Sequence, residues 1–100
     1  MAVGVLVPLP GVTQEIYEHV NRELFGHYPH EPGDGVPGLI LHSAGPADDG
    51  WYVYDIWESA EEFKQFAESR IGPAMQSVLG GDAQGPEPQF FDVANVFIPG

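Results

Sequence analysis

The order of apolar runs predicts an α+β chain of the ferredoxin-like kind, βαββαβ, with two helices on one face of a four-stranded antiparallel sheet. Three observations predict it. Runs rich in β-branched and aromatic residues alternate with stretches at helical spacing in that order. The turn-rich segment Gly45-Pro46-Ala47-Asp48-Asp49-Gly50 joins the second and third strands as a hairpin. Ser59 stands three residues before Glu62, an S-x-x-E capping box where the third strand feeds a helix.

Each element follows from its own residues. Ala2 to Leu9 is apolar almost throughout, the signature of a strand buried on both faces, and Pro8, Pro10 and Gly11 end it. Thr13 is placed to cap a helix, with Glu15 favourable in its first turn. Val12, Ile16, Val20 and Leu24 recur every four residues with Tyr17 alongside, and the stripe stops at Phe25-Gly26. His27 to Pro37 reads as a loop, with three prolines and two glycines in eleven residues. Gly38 to Ala44 is the second strand and Trp51 to Trp57 the third. A second helix is expected from Ser59 to about Ile71, interrupted by Gly72-Pro73, with a further short turn through Leu79. Gly80 to Pro88 is an acidic connection, and Gln89 to Ile98 the last strand. The whole, residues 1–100, is expected to form one domain.

Composition narrows the function classes. With 43% hydrophobic and 12% aromatic residues the chain is too apolar for disorder. Fifteen acids against three bases (Arg22, Lys64 and Arg70) give a formal net charge of -12, which repels phosphate backbones and anionic membrane surfaces. Nucleic-acid and membrane partners are therefore not expected. The chain has no cysteine, so disulfides, thiolate catalysis and cysteine metal sites are excluded. The opening MAVGVLVPLPG lacks a basic leader pattern, and a cytoplasmic location is expected.

Two helices can cover only one side of this sheet. The third strand nevertheless carries Tyr52, Tyr54 and Ile56 on one side and Trp51, Val53 and Trp57 on the other, so neither side suits open water. The simplest cover for a chain this short is a second copy of itself, a homodimer through the free sheet face.

The junction Ile56-Trp57-Glu58-Ser59, followed by Phe63 and Phe66, resembles the W-x-S-x-x-x-F junction of the dimeric α+β barrel superfamily, and within it the antibiotic biosynthesis monooxygenase (ABM)-like proteins. The stretch from Gly38 to Ser59 is similar to small actinobacterial members without assigned activity. The resemblance implies a dimeric α+β barrel with a cavity on the helix-covered side. It also implies cofactor-independent oxygenation of an aromatic or polyketide-like molecule, or isomerase or cyclase chemistry. Trp57 matches the tryptophan that heme-degrading members place over the heme. Their histidine ligand would fall near Gln76, no histidine follows His42, and the first strand has no asparagine, so no cofactor is expected and heme is disfavoured.

Site residues follow from face and register. Pairing Ala44 with Trp51 across a six-residue turn makes His42 and Asp55 diagonal neighbours, roughly 7–8 Å apart by Cα, on the face of Trp51 and Trp57. A histidine oriented by a carboxylate among aromatics is a general base, so His42 and Asp55 are the expected catalytic pair. The competing reading is a half-buried core histidine satisfied by Asp55. Trp51, Trp57, Phe66 and Tyr17 are the expected substrate-binding walls, Tyr17 and Phe66 being helix-side core if the cavity is filled. Tyr52 and Tyr54 fall on the opposite face, in the expected dimer core, with hydroxyls reaching a partner such as Ser43. Asn95 is read as a hydrogen-bonded strand residue. His27, His30 and Glu31 lack the spacing of a metal site, so no metal is expected, and Asp48-Asp49 is turn chemistry. The second functional reading is a non-catalytic dimer that binds a small molecule or serves as structure.

Overall fold

The computed structural model describes residues 2–29, 35–80 and 87–99. His30, Glu31 and residues 81–86 of the expected connection lie outside these.

The elements are β1 (Val3–Pro10), α1 (Gln14–Phe25), β2 (Leu39–Ala47), β3 (Gly50–Trp57), α2 (Ala60–Phe66), a π-helical turn (Ala67–Ile71), α3 (Gly72–Leu79) and β4 (Gln89–Asp92). The strands form one antiparallel sheet in the order β2-β3-β1-β4, the ferredoxin-like arrangement. No helix among the described residues is long and apolar enough to cross a membrane.

The hairpin differs from the sequence expectation in length and register. β2 runs on to Ala47, which pairs with Gly50 across a two-residue turn at Asp48-Asp49, and Pro46 rather than Ala44 faces Trp51. Gly45 and Pro46 read as turn residues, but β2 is an edge strand, where proline costs no ladder bond. Gly45 has its own use there, because the Tyr52 ring lies across it; a Cβ would sit 3.0 Å from that ring. The slip is two residues, so side chains keep their faces. Ile40 is the extra residue of a bulge between the Leu39 and Leu41 pairings.

Both helices begin as their sequences dictate. Thr13 caps α1 by accepting from the Ile16 N–H at 3.2 Å, and Gly26 closes it at φ 82°. Ser59 accepts from the Glu62 N–H at 3.2 Å, and its hydroxyl lies 3.4 Å from the Glu62 carboxylate. The expected break at Gly72-Pro73 is absent. The helical run passes through a π turn in which the Gly72 N–H bonds to the Ala67 carbonyl, five residues back. Pro73 has no N–H to give and would crowd the carbonyl four residues before it. The wider turn relieves that conflict without ending the helix.

Val5, Trp57 and Phe63 form the core, with Val3, Val7, Val36, Leu39, Phe66 and Ala67 packed against it. This core lies between the sheet and the α2 side of the helical layer. The last strand stops at Asp92, well short of Ile98, because its partner β1 begins at Val3; beyond one bond from the Val93 N–H to the Ala2 carbonyl there is no ladder left. Phe97 and Ile98 consequently stand 79% and 56% exposed. On the open sheet face Tyr54 lies over Gly4, and Ser43 donates at 2.7 Å to the Tyr54 carbonyl rather than to a tyrosine hydroxyl.

Gly50 pins the hairpin to the β1–α1 corner. At φ 155° its missing Cβ would meet the Leu9 carbonyl at 2.5 Å and the Gly11 nitrogen at 2.6 Å. Gly50→Ala must move backbone, and we expect a loss of about 2–3 kcal/mol in urea unfolding. A loss under ~0.5 kcal/mol would show the corner is not a constraint.

Candidate functional site

Residues of odd number on β1 and β3 face the helices: Val3, Val5, Val7 and Leu9 pair with Trp57, Asp55, Val53 and Trp51. His42 enters this face from β2 as the direct cross-strand partner of Asp55, closer than the diagonal placement expected from sequence. Direct opposition lets the two side chains meet, and His42 Nδ1 lies 2.7 Å from Asp55 Oδ1.

The pair is part of a longer chain of hydrogen bonds. Trp57 Nε1 donates to Asp55 Oδ2 at 3.2 Å. On the other side, the Tyr17 hydroxyl from α1 lies 2.6 Å from His42 Nε2, its ring parallel to the imidazole within 8°. Burial first, and then the charges of Tyr28 and Asp55, push the Tyr17 hydroxyl up to about 12. Tyr17 therefore keeps its proton at neutral pH, and with a neutral imidazole its hydroxyl donates to His42 Nε2, which assigns the His42 proton to Nδ1, facing the Asp55 carboxylate. Asn21, one helical turn beyond Tyr17 and buried, donates to the Tyr17 carbonyl at 2.8 Å.

This chain borders a cavity of about 580 Å³ between the sheet and the helices. Tyr17, His42, Asp55, Asn21 and Gln76 supply its polar atoms, while side chains such as Val7, Leu24, Phe25, Phe66, Ile71 and Met75 make the rest apolar. The volume and the few convergent polar groups are those of a small-molecule site. The π turn shapes the far end, where Ala67 and Gly72 leave room that larger side chains would fill.

The site residues expected from sequence are distributed unevenly. Tyr17, His42, Asp55, Trp57 and Phe66 all border the cavity. Trp51 does not. It packs behind Tyr17, with ring centroids 5.4 Å apart, and its buried indole N–H has no hydrogen-bond partner among the described residues. Trp57 is 1% exposed, so it contributes one face to the wall while its N–H serves Asp55. Asn95 lies beyond β4, exposed. His27 bonds through Nδ1 to the Pro29 carbonyl, and among the described residues no cluster of three metal-ligating side chains occurs.

Sequence reasoning missed two partners. The contact of Tyr17 with His42 joins residues 25 apart on separate elements, and no local spacing signals it. The bond from Trp57 to Asp55 was within reach, because residues two apart on a strand share a face.

No family model matches the sequence, and no curated protein matches it. Solved structures do match its fold. A protein assigned to the antibiotic biosynthesis monooxygenases of Chloroflexus aurantiacus superposes with a TM-score of 0.60 at 15% identity, over 99% of this chain and 100% of that one. A monooxygenase of Streptomyces coelicolor in complex with nanaomycin D gives 0.55 at 18% identity, over 99% and 92%. The heme-degrader MhuD of Mycobacterium tuberculosis, with two hemes bound in its active site, gives 0.53 at 20% identity, over 97% and 99%.

The last of these corrects the expectation that no cofactor is used. That exclusion rested on one ligand pattern, a histidine near Gln76 and an asparagine in the first strand, whereas a protein of this same fold holds heme. The cavity wall here includes His42, Tyr17 and Met75, side chains of types that ligate heme iron, with the His42 nitrogens and the Tyr17 hydroxyl engaged in hydrogen bonds. At this level of identity the likeness establishes the architecture: the chain has the ferredoxin-like α+β fold of the ABM-like proteins.

Proposed function

We propose that the helix-side cavity binds an aromatic small molecule bearing a phenolic or enolic hydroxyl, and that the Tyr17–His42–Asp55 chain removes the proton of that hydroxyl. The observation that carries the reading is an unbroken line of hydrogen bonds, from a buried carboxylate through an imidazole to a phenol, along a mostly apolar cavity. The bound hydroxyl gives its proton to the Tyr17 oxygen while Tyr17 passes its own to His42 Nε2. Asp55 then stabilises the imidazolium. Deprotonation makes a ring carbon electron-rich enough to add to dioxygen. The hydroperoxide so formed loses water, with the ring C–H hydrogen leaving as a proton, to give a carbonyl at that carbon, so the substrate supplies the electrons. Two fold neighbours named as monooxygenases, one holding nanaomycin D, support oxygenation as the reaction class. For a heme in the same cavity, His42 Nε2 or the Tyr17 oxygen would hold the iron once their mutual hydrogen bond is given up, and heme would supply oxygen activation.

A second reading, binding without turnover, rests on the closed chain itself. Both ring nitrogens of His42 are engaged, and an internally satisfied imidazole can be purely structural. In either case a second copy of the chain is the proposed cover for the open sheet face, where Leu6, Tyr52, Tyr54, Ile56 and Phe91 present apolar surface.

Three measurements check these statements. Tyr17 holds its proton to about pH 12 when folded, against an ordinary value of 10.0. Its contribution to stability is thus complete below pH 10 and declines as pH rises from 10 toward 12. Tyr17→Phe should flatten that decline in chemical unfolding and remove the late step from the phenolate absorbance titration. For an aromatic substrate identified by ligand screening and oxygen uptake, His42→Ala should lower turnover by about 10²–10⁴-fold. A drop of only a few-fold would remove His42 as the base, and a ligand that binds the wild type with no oxygen uptake would favour binding without turnover. Leu6→Glu places a charge in the open sheet face, and sedimentation velocity should then show a monomer where the wild type is a dimer; a wild-type monomer would remove the proposed interface.

A further inference from the structure

Asp55 is held from two sides, one donor on each carboxylate oxygen: His42 Nδ1 at 2.7 Å on Oδ1 and Trp57 Nε1 at 3.2 Å on Oδ2. A carboxylate with one donor can pivot about its Cβ–Cγ bond, while one with a donor on each oxygen is fixed in plane and direction. The second donor is itself immobile. Trp57 is 1% exposed, and its indole is packed on α2 by Phe63 and Phe66, with ring centroids 5.7 Å away in each case. The indole cannot turn without displacing that helix face, so core packing decides where its N–H points.

We propose that Trp57 is a positioning residue for the proton relay, a role distinct from that of an aromatic wall. Its N–H locks the Asp55 carboxylate so that Oδ1 holds the Nδ1 proton of His42 and leaves Nε2 as the basic nitrogen. The inference rests on the relay reading of the Tyr17–His42–Asp55 chain. It also ties the relay to occupancy. Trp57 and Phe66 border the cavity, so a ligand pressed on that wall bears on the same indole that orients the carboxylate.

The experiment removes the indole N–H while keeping a fused bicyclic ring of nearly the same shape. Benzothienylalanine, in which sulfur stands for the N–H, is introduced at position 57 alone, beside Trp57→Phe and a ring-fluorinated tryptophan that keeps the donor. Exchange of the His42 Nδ1 proton with water is read by NMR, with exchange of the β2 and β3 backbone amides as the measure of intact folding. Loss of one hydrogen bond to a charged group corresponds to about a tenfold shift in the locked population. We expect the Nδ1 proton to exchange about tenfold faster in the benzothienyl protein, amide protection to hold, and the fluorinated protein to match the wild type. Unchanged exchange in the benzothienyl protein overturns the positioning role alone. A wild-type His42 carrying its proton on Nε2 instead overturns the relay reading beneath it, so the two failures are distinguishable. If the sulfur variant loses amide protection as well, Trp57 is a packing residue and the inference is wrong.

Discussion

The site depends on the direct opposition of His42 and Asp55 across the β2–β3 ladder. Asp55 sits in the buried face of a central strand, and an ionised carboxylate there is costly unless its oxygens are paired. Pairing is possible because the hairpin closes in two residues, bringing position 42 level with position 55, and because Trp57 follows Asp55 on the same face. His42 in turn has a second nitrogen to satisfy, and Tyr17 of α1 reaches down to it. The position of the first helix over the sheet is thus expressed at the site by one hydrogen bond. Gly26 ends that helix and Thr13 starts it, so the reach of Tyr17 follows from where the chain is allowed to become helical.

The helical layer leaves space as well as covering the sheet. On the α2 side Phe63 and Phe66 fill the interface against Trp57 and Val5. Toward α3 the cavity is lined by Ala67, Ile71, Gly72, Met75 and Gln76. Arg70 helps hold the two helical runs together at this level. Its guanidinium lies over the Phe25 and Phe66 rings at 5.5 and 5.6 Å and donates to the Leu24 carbonyl. A tight core at one end and a spanned gap at the other give the site both a rigid relay and room for a guest.

Much of this was legible in the residues, for stated reasons. The order of elements followed from periodicity and caps, with Thr13 and Ser59 marking helix starts to the residue. The shared face of His42 and Asp55 survived a wrong register because the error was two residues, and strand faces repeat every two. The register itself was hidden by Gly45-Pro46, whose turn chemistry yields at a sheet edge. Local rules break the second helix at Gly72-Pro73, since they do not weigh a π turn against a break. Gln89 to Ile98 has strand composition throughout, yet among the described residues only Gln89 to Asp92 pair with a strand. The Tyr17–His42 bond and the cavity are products of tertiary placement, which spacing along a chain does not encode.

The π turn carries a consequence for how this pocket can change. It inserts, in effect, one residue's worth of backbone between two regular helical stretches. Because the wide turn absorbs that residue, deleting one position from 67–71 would restore an unbroken α-helix and leave α3 in the same rotation, with Met75 and Gln76 still on the cavity. What the deletion would remove is the slack that accommodates Pro73, whose ring would then press on the carbonyl four residues before it. The pocket's order of lining residues is thus indifferent to that one position, while the integrity of the wall is not.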